Sequence, residues 1–290
     1  MQLKSHIKLL IEALRLSRFN NLIIIFFTQY AGAICLINAN ETIWHVIRDF
    51  RFFVLAISTV IIAAAGYYIN DYYDIKIDLI NKPQKVIVGN TIKRRPVMIA
   101  HSMLNAFGIL MGTFVSLWIG AIHFVCAFLL WWYSNQLKRI PFVGNFLVAL
   151  LTGATLLVVM VYYRSTDILI LVYALFAFGI TLVREIIKDI EDVEGDANYG
   201  GLTLPIWLGI RKTKVIIFVI LIPFVSSLVI FLVKVQNYYL LFYFGILFLP
   251  FFHFSYRLIR ADTKNHFAEL SSYCKWLIIA GIFSMVILKF

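Results

Sequence analysis

Nine apolar stretches, at 21–38, 52–70, 97–116, 119–134, 145–163, 168–186, 213–233, 238–255 and 274–289, run almost the length of the chain. About 20 apolar residues cross the hydrocarbon of a bilayer as a helix. In lipid only helices and closed barrels satisfy their own backbone. The pattern therefore predicts an all-α polytopic membrane protein of about nine transmembrane helices around a central cavity. Only 14% of the 290 residues are charged and 62% are hydrophobic, against about 25% charged in soluble domains. Such a chain cannot cover a water-facing surface, so 1–290 reads as a single membrane domain. The third and fourth stretches are nearly fused, with the turn expected at Ser116–Gly120. Ahead of the first, Leu3, Ile7, Leu10 and Leu14 fall on one helical face and Lys4, Lys8, Glu12 and Arg15 on another. That is the pattern of an interfacial helix over 1–18.

The net charge of +11 reads as topology and attraction to anionic lipid rather than to nucleic acid. With the N-terminus inside, 21 of the 26 Lys and Arg fall on the inner side. Outside lie Arg48, Arg51, Arg164, Lys234 and Lys289. This asymmetry predicts a cytoplasmic N-terminus, an outer C-terminus and a cavity opening to the cytoplasm, where both long inner loops lie. The cysteines (Cys35, Cys126, Cys274) have no metal-ligand spacing and read as core thiols.

More than half of the 15 acidic residues lie in two short windows on that side. Aspartates occupy 71, 74 and 78 in one and 189, 192 and 196 in the other, an offset of 118 residues throughout. The i, i+3, i+7 spacing places each set on one face of a helix. Like charges so close repel, the more so where lipid weakens solvent screening, and two such stripes call for cations between them. Oxygen-only ligands suit Mg²⁺, which takes one or two carboxylates and completes its shell with water and substrate phosphate. Asn70, Asp71, Asp74, Asp78, Asp189, Asp192 and Asp196 are thus the expected metal set, and the open positions fit a diphosphate. A solvated acidic turn explains one stripe alone; a matched pair in an acid-poor chain argues for a site.

Basic residues surround the stripes. Arg184 and Lys188, one turn apart, extend the second stripe toward the membrane, where ionisable groups are functional candidates. Lys82, Lys85, Lys138 and Arg139 join them as expected diphosphate ligands. Lys93-Arg94-Arg95 reads better as positive-inside anchoring. Asn21 and Asn145 begin helices and either cap them or bind substrate oxygens. Tyr67, Tyr68, Tyr72 and Tyr73 flank the first stripe. They are an interfacial belt, or supply a ring that faces an allylic cation.

At these residues the chain resembles the UbiA superfamily of membrane prenyltransferases. Asn70, Asp71, Asp74 and Asp78 fill every fixed position of its first motif, N-D-x-x-D-x-x-x-D. Lys188, Asp189, Asp192 and Asp196 match the second. Asn81-Lys82-Pro83, the run from Arg184 to Asp196, and Thr203-Leu204-Pro205 look most like the members that prenylate geranylgeranylglyceryl phosphate in archaeal-type ether lipids. Departures are Arg184 where the family has tyrosine, Lys85-Val86 in place of Arg-Pro, and Phe19 in place of proline.

The resemblance implies Mg²⁺-dependent transfer of a prenyl group from a polyprenyl diphosphate to a membrane-associated acceptor, through a carbocation-like transition state. Lys188, Arg184, Asn21 and Asn145 are then the catalytic set. A glycerol-phosphate ether lipid is the expected acceptor and an aromatic quinone precursor the alternative. Two other classes fit less well. A divalent-cation or phosphate transporter places its carboxylates near the bilayer midplane. A CDP-alcohol phosphotransferase needs a glycine after its first aspartates, and none follows Asp74 or Asp192.

Overall fold

The computed structural model describes the backbone of residues 2–289 and the side chains of 9–289. Helix α1 spans Gln2–Leu16, and Leu10 and Leu14 are exposed on it. Leu3, Lys4, Ile7 and Lys8 lie outside the described side chains. Arg18 breaks the chain with a left-handed backbone (φ 51°). Helix α2 (Phe19–Ala31) then continues as a π-helical turn to Ile37, and a short α3 (Ile43–Ile47) follows.

The long helices come next: α4 (Phe50–Asn81), α5 (Arg94–Val115), α6 (Leu117–Asn135), α7 (Val143–Tyr163) and α8 (Ile168–Glu191). After two short helices, α9 (Val193–Asn198) and α10 (Leu204–Leu208), the bundle is completed by α11 (Ile210–Val235), α12 (Tyr238–Arg260) and α13 (Lys264–Lys289). Among the described residues nine helices are long and apolar enough to cross a membrane. The protein is an integral, multi-pass membrane protein.

The structure corrects several boundaries. Helix α4 does not stop at 70 but runs 32 residues, about 48 Å at 1.5 Å per residue. Hydrocarbon accounts for ~30 Å of that, so the end bearing Asp71, Asp74 and Asp78 projects past it until Pro83 forbids further helix. Helix α13 begins at Lys264, ten residues before the apolar run. In both cases hydropathy marks the lipid-embedded part, while backbone hydrogen bonding carries the helix onward. The turn between α5 and α6 shrinks to one extended residue, Ser116, whose hydroxyl accepts from the Ile119 N–H at 3.2 Å; Gly120 is already helical. The second stripe does not lie on one continuous helical face. Helix α8 ends at Glu191, and Asp192 (φ −100°, ψ 8°) turns the chain into α9.

Large apolar side chains cover the outside of the bundle, among them Leu117, Trp118, Phe242 and Trp276, as a lipid solvent requires. Inside, small residues let helices approach. An added Cβ at Gly153 in α7 would stand 2.9 Å from the Ala174 carbonyl oxygen of α8. Because that neighbour is backbone, Gly153→Leu is expected to cost about 1–3 kcal/mol by overpacking. A lower unfolding temperature of the detergent-solubilised protein would register it, and an unchanged one would contradict this account of the crossing.

Candidate active site

The polar end of α4 and the α8–α9 corner are joined by one side chain. Asn81, 6% exposed, donates through Nδ2 to the Asp192 carbonyl (2.9 Å) and accepts the Gly195 N–H on Oδ1 (2.9 Å). Gly195 has no room for a side chain, since a Cβ would lie 2.4 Å from Asn81 Nδ2. Next along the chain, Lys82 Nζ reaches Glu191 (3.1 Å) and Asp192 (2.9 Å). Burial alone would lower the Lys82 ammonium's pKa; Asp192 and then Glu191 outweigh it and hold it above its ordinary value. Lys264, at the start of α13, donates to the Asn81 carbonyl at 2.8 Å.

So fastened, Asp71, Asp74, Asp78, Asp189, Asp192 and Asp196 all line one cavity of about 640 Å³. The expected basic residues Lys82, Lys85, Lys138, Arg139, Arg184 and Lys188 line it too. Individual carboxylates are held by bases or amides. Asp71 accepts from Arg18 (3.0 Å), Asp74 from Lys138 and from Asn70 (2.8 Å), and Asp189 from Asn145 (2.8 Å). Among the described residues no group of three gathers into a ready-made metal cage. Mg²⁺ rarely uses an all-protein cage, sharing its shell with substrate phosphate instead.

Two observations show that hard cations fit here. Asp192 Oδ1 is buried and accepts no hydrogen bond, its approach to Lys82 being an ion pair without hydrogen-bond direction. Burial, then Asp192 and Asp74, push the Asp196 carboxyl up to about 7. A carboxylate of the second stripe thus feels one of the first, and the cavity has negative charge to spare.

The amide predictions resolve separately. Asn145, buried, orients Asp189. Asn21 instead faces a second chamber deeper in the bundle, where it donates to the Tyr67 hydroxyl at 3.3 Å. This chamber, about 240 Å³, shares Arg18, Asn70, Tyr133, Arg184, Glu185 and Lys188 with the aspartate cavity and is otherwise mostly apolar, lined by residues such as Ile25, Ile62, Leu130 and Leu151. Tyr67 and Tyr133 turn toward it. Tyr68 donates to the Ala13 carbonyl, and Tyr72 lies under the Arg94 guanidinium at 4.7 Å. Arg94 does not line the cavity.

Sequence reasoning gave no role to Glu185, 6% exposed, which accepts from Arg184 (2.7 Å) and Lys188 (3.1 Å) at the junction of the two chambers. An acid inside an apolar run of so acid-poor a chain was the available signal. Arg18, a second residue to which sequence reasoning gave no role, also lines the aspartate cavity. Asp71 raises its pKa above the ordinary value against the opposing effect of burial, and its guanidinium lies 4.9 Å from the Tyr67 ring centre.

Carboxylates placed for hard cations, opening directly onto a water-poor space shaped for hydrocarbon, define an intramembrane enzyme that transfers apolar groups, a prenyltransferase. Residues 24–279 match the UbiA prenyltransferase family, and this chain belongs to it.

The digeranylgeranylglyceryl phosphate synthase of Methanosphaera stadtmanae is 32% identical over 74% of this chain and 79% of its own. That of Saccharolobus solfataricus is 33% identical over 78% and 80%. A solved digeranylgeranylglyceryl phosphate synthase shares the fold with a TM-score of 0.72, at 23% identity over 97% of this chain and 98% of that one. So does a UbiA homolog from Archaeoglobus fulgidus bound to DMAPP and Mg²⁺, with a TM-score of 0.63 at 14% identity over 95% and 99%.

Proposed function

We propose that the chain is one prenyltransferase domain that moves a polyprenyl group from its diphosphate to a glycerol-phosphate ether lipid of the geranylgeranylglyceryl phosphate type. One observation carries this reading: six aspartates line a cavity continuous with the apolar chamber. Two relatives alike over most of their length are named for that product. The Lys and Arg asymmetry supports a cytoplasmic N-terminus and active-site mouth, with the C-terminus outside.

Asp71, Asp74, Asp78, Asp189, Asp192 and Asp196 would hold Mg²⁺, with Asn70 and Asn145 fixing Asp74 and Asp189. Bound Mg²⁺ would screen the diphosphate and favour its departure as a leaving group. Lys82, Lys138 and Lys188, with Lys85 and Arg139, place positive charge where the leaving group gains negative charge as the allylic C–O bond breaks. The apolar chamber withholds water from the electron-poor allylic carbon, and the faces of Tyr67 and Tyr133 stabilise positive charge there. The acceptor hydroxyl then forms the new C–O bond and gives up its proton to the departing diphosphate.

Purified protein, labelled geranylgeranyl diphosphate and geranylgeranylglyceryl phosphate test the reading. The expected result is a doubly prenylated phospholipid, formed with Mg²⁺, abolished by EDTA and restored by Mg²⁺ in excess. Turnover with an aromatic carboxylic acid and none with the glycerol phosphate would assign the acceptor to quinone chemistry instead.

A further inference from the structure

The inner chamber has the opposite charge balance to the aspartate cavity. Arg18, Arg184, Lys188 and Lys275 line it against a single carboxylate, Glu185. Ion pairs absorb part of that charge. Arg18 pairs with Asp71 of the neighbouring cavity, and Glu185 is shared by Arg184 and Lys188. Arg18, Arg184, Lys188 and Glu185 also line the aspartate cavity, so among the described residues Lys275 is the one cation that lines the inner chamber alone. Lys275, on α13, has no ion-pair partner among the described residues. Arg184 Nε is buried without a hydrogen-bond acceptor.

Anchoring to lipid headgroups accounts for lysines on the outside of a helix end, not for one that lines an interior chamber beside a guanidinium. Uncompensated charge in such a place is expensive, so the arrangement calls for an anion.

We propose that the Arg184–Lys275 side of this chamber binds the phosphomonoester headgroup of the acceptor lipid without metal, leaving the aspartate cavity to the diphosphate. This rests on the reading given above. A phosphomonoester carries about −1.5 to −2 charge near neutrality, which the unpaired Lys275 ammonium and the unpartnered Nε edge of Arg184 are placed to meet. The diphosphate is excluded because, among the described residues, this side of the chamber has one carboxylate, already engaged by two bases, and cannot assemble metals around it. Arg184, Lys188 and Glu185 border both spaces, and Lys275 only the inner one. A headgroup held against Arg184 and Lys275 therefore keeps the glycerol hydroxyl at the junction where the allylic carbon is delivered. The lipid tail continues into the apolar space lined by Ile24, Thr152 and Ile278, which opens onto a further wholly helix-walled pocket of about 150 Å³.

The test is steady-state kinetics of the full-length protein, wild type against Lys275→Met and Lys275→Arg, with geranylgeranylglyceryl phosphate or its dephosphorylated glyceryl ether as acceptor. Loss of one charge-assisted contact predicts a KM for the phosphorylated acceptor raised roughly ten- to a hundredfold in Lys275→Met. The donor KM should stay put and the preference for the phosphorylated acceptor should collapse. Lys275→Arg should restore most of it. An unchanged acceptor KM, or donor and acceptor KM rising together, overturns the subsite.

A second measurement needs no variant. In EDTA, the phosphorylated acceptor should raise the unfolding temperature of the wild type and the neutral ether should not. Protection that requires Mg²⁺ overturns the proposal. If the wild type does not use the phosphorylated acceptor at all, the proposed function fails instead, and that outcome is read before any variant is made.

Discussion

Asp74→Ala and Asp192→Ala are each expected to lower turnover by at least about a hundredfold, the scale on which removal of one preorganised electrostatic group slows an enzyme. The two residues come from different stripes, 118 positions apart, yet line the same cavity. Removing Asp74 also takes the partner of Lys138 and Asn70, whereas Lys82, on losing Asp192, keeps Glu191; in both variants a proposed metal ligand goes. Initial rates with labelled prenyl diphosphate over a range of Mg²⁺ measure the effect, which saturating Mg²⁺ should relieve only in part. Asp167→Ala is the control. Asp167 caps α8 at its other end, accepting the Leu169 N–H at 2.9 Å. Its loss should cost about 1 kcal/mol of stability and leave turnover near wild type. Full activity in either stripe variant would remove the carboxylates from the mechanism.

Asn81→Ala and Gly195→Val are expected to do comparable damage without touching a charge. The Asn81 amide accepts the Gly195 N–H and donates to the Asp192 carbonyl, which also accepts the Asp196 N–H at 3.2 Å. Its truncation leaves the Gly195 N–H without a partner, at about 1–3 kcal/mol, and cuts the tie between α4 and the corner that presents Asp192 and Asp196. A valine at 195 pushes the same amide away, because even the first added carbon would lie 2.4 Å from it. Both variants should lose about ten- to a thousandfold in turnover. The Mg²⁺ needed for half-maximal rate should rise with little change in the global unfolding temperature. A normal Mg²⁺ dependence in both would show that the clip is dispensable.

How far the site could be read beforehand differs residue by residue. The six aspartates and six bases named beforehand all line the cavity; periodicity puts Asp71, Asp74 and Asp78 on one side of α4, whereas Asp192 and Asp196 are brought there by the break at the end of α8. Glu185, Arg18 and Lys275 escaped because each matters through a neighbour distant in sequence. Arg18 is 53 positions from its partner Asp71, and Lys275 shares a chamber with Arg184 only because α13 packs on α8. Asn81 was visible only as part of a motif, and nothing local to it says that its amide spans 111 positions to Asp192.

The amino-acid sequence by itself determined a membrane bundle, its spans and its two acidic stripes, since hydrophobicity and helical period act within a window of some twenty residues. Only the tertiary structure decided that the stripes face one another, that α8 breaks at Asp192 to aim them, and that acidic and basic chambers lie side by side. Those facts depend on how helices rotate and pack once in lipid. That choice is made by contacts such as Gly153 on Ala174 and Asn81 on Gly195, which no periodicity encodes.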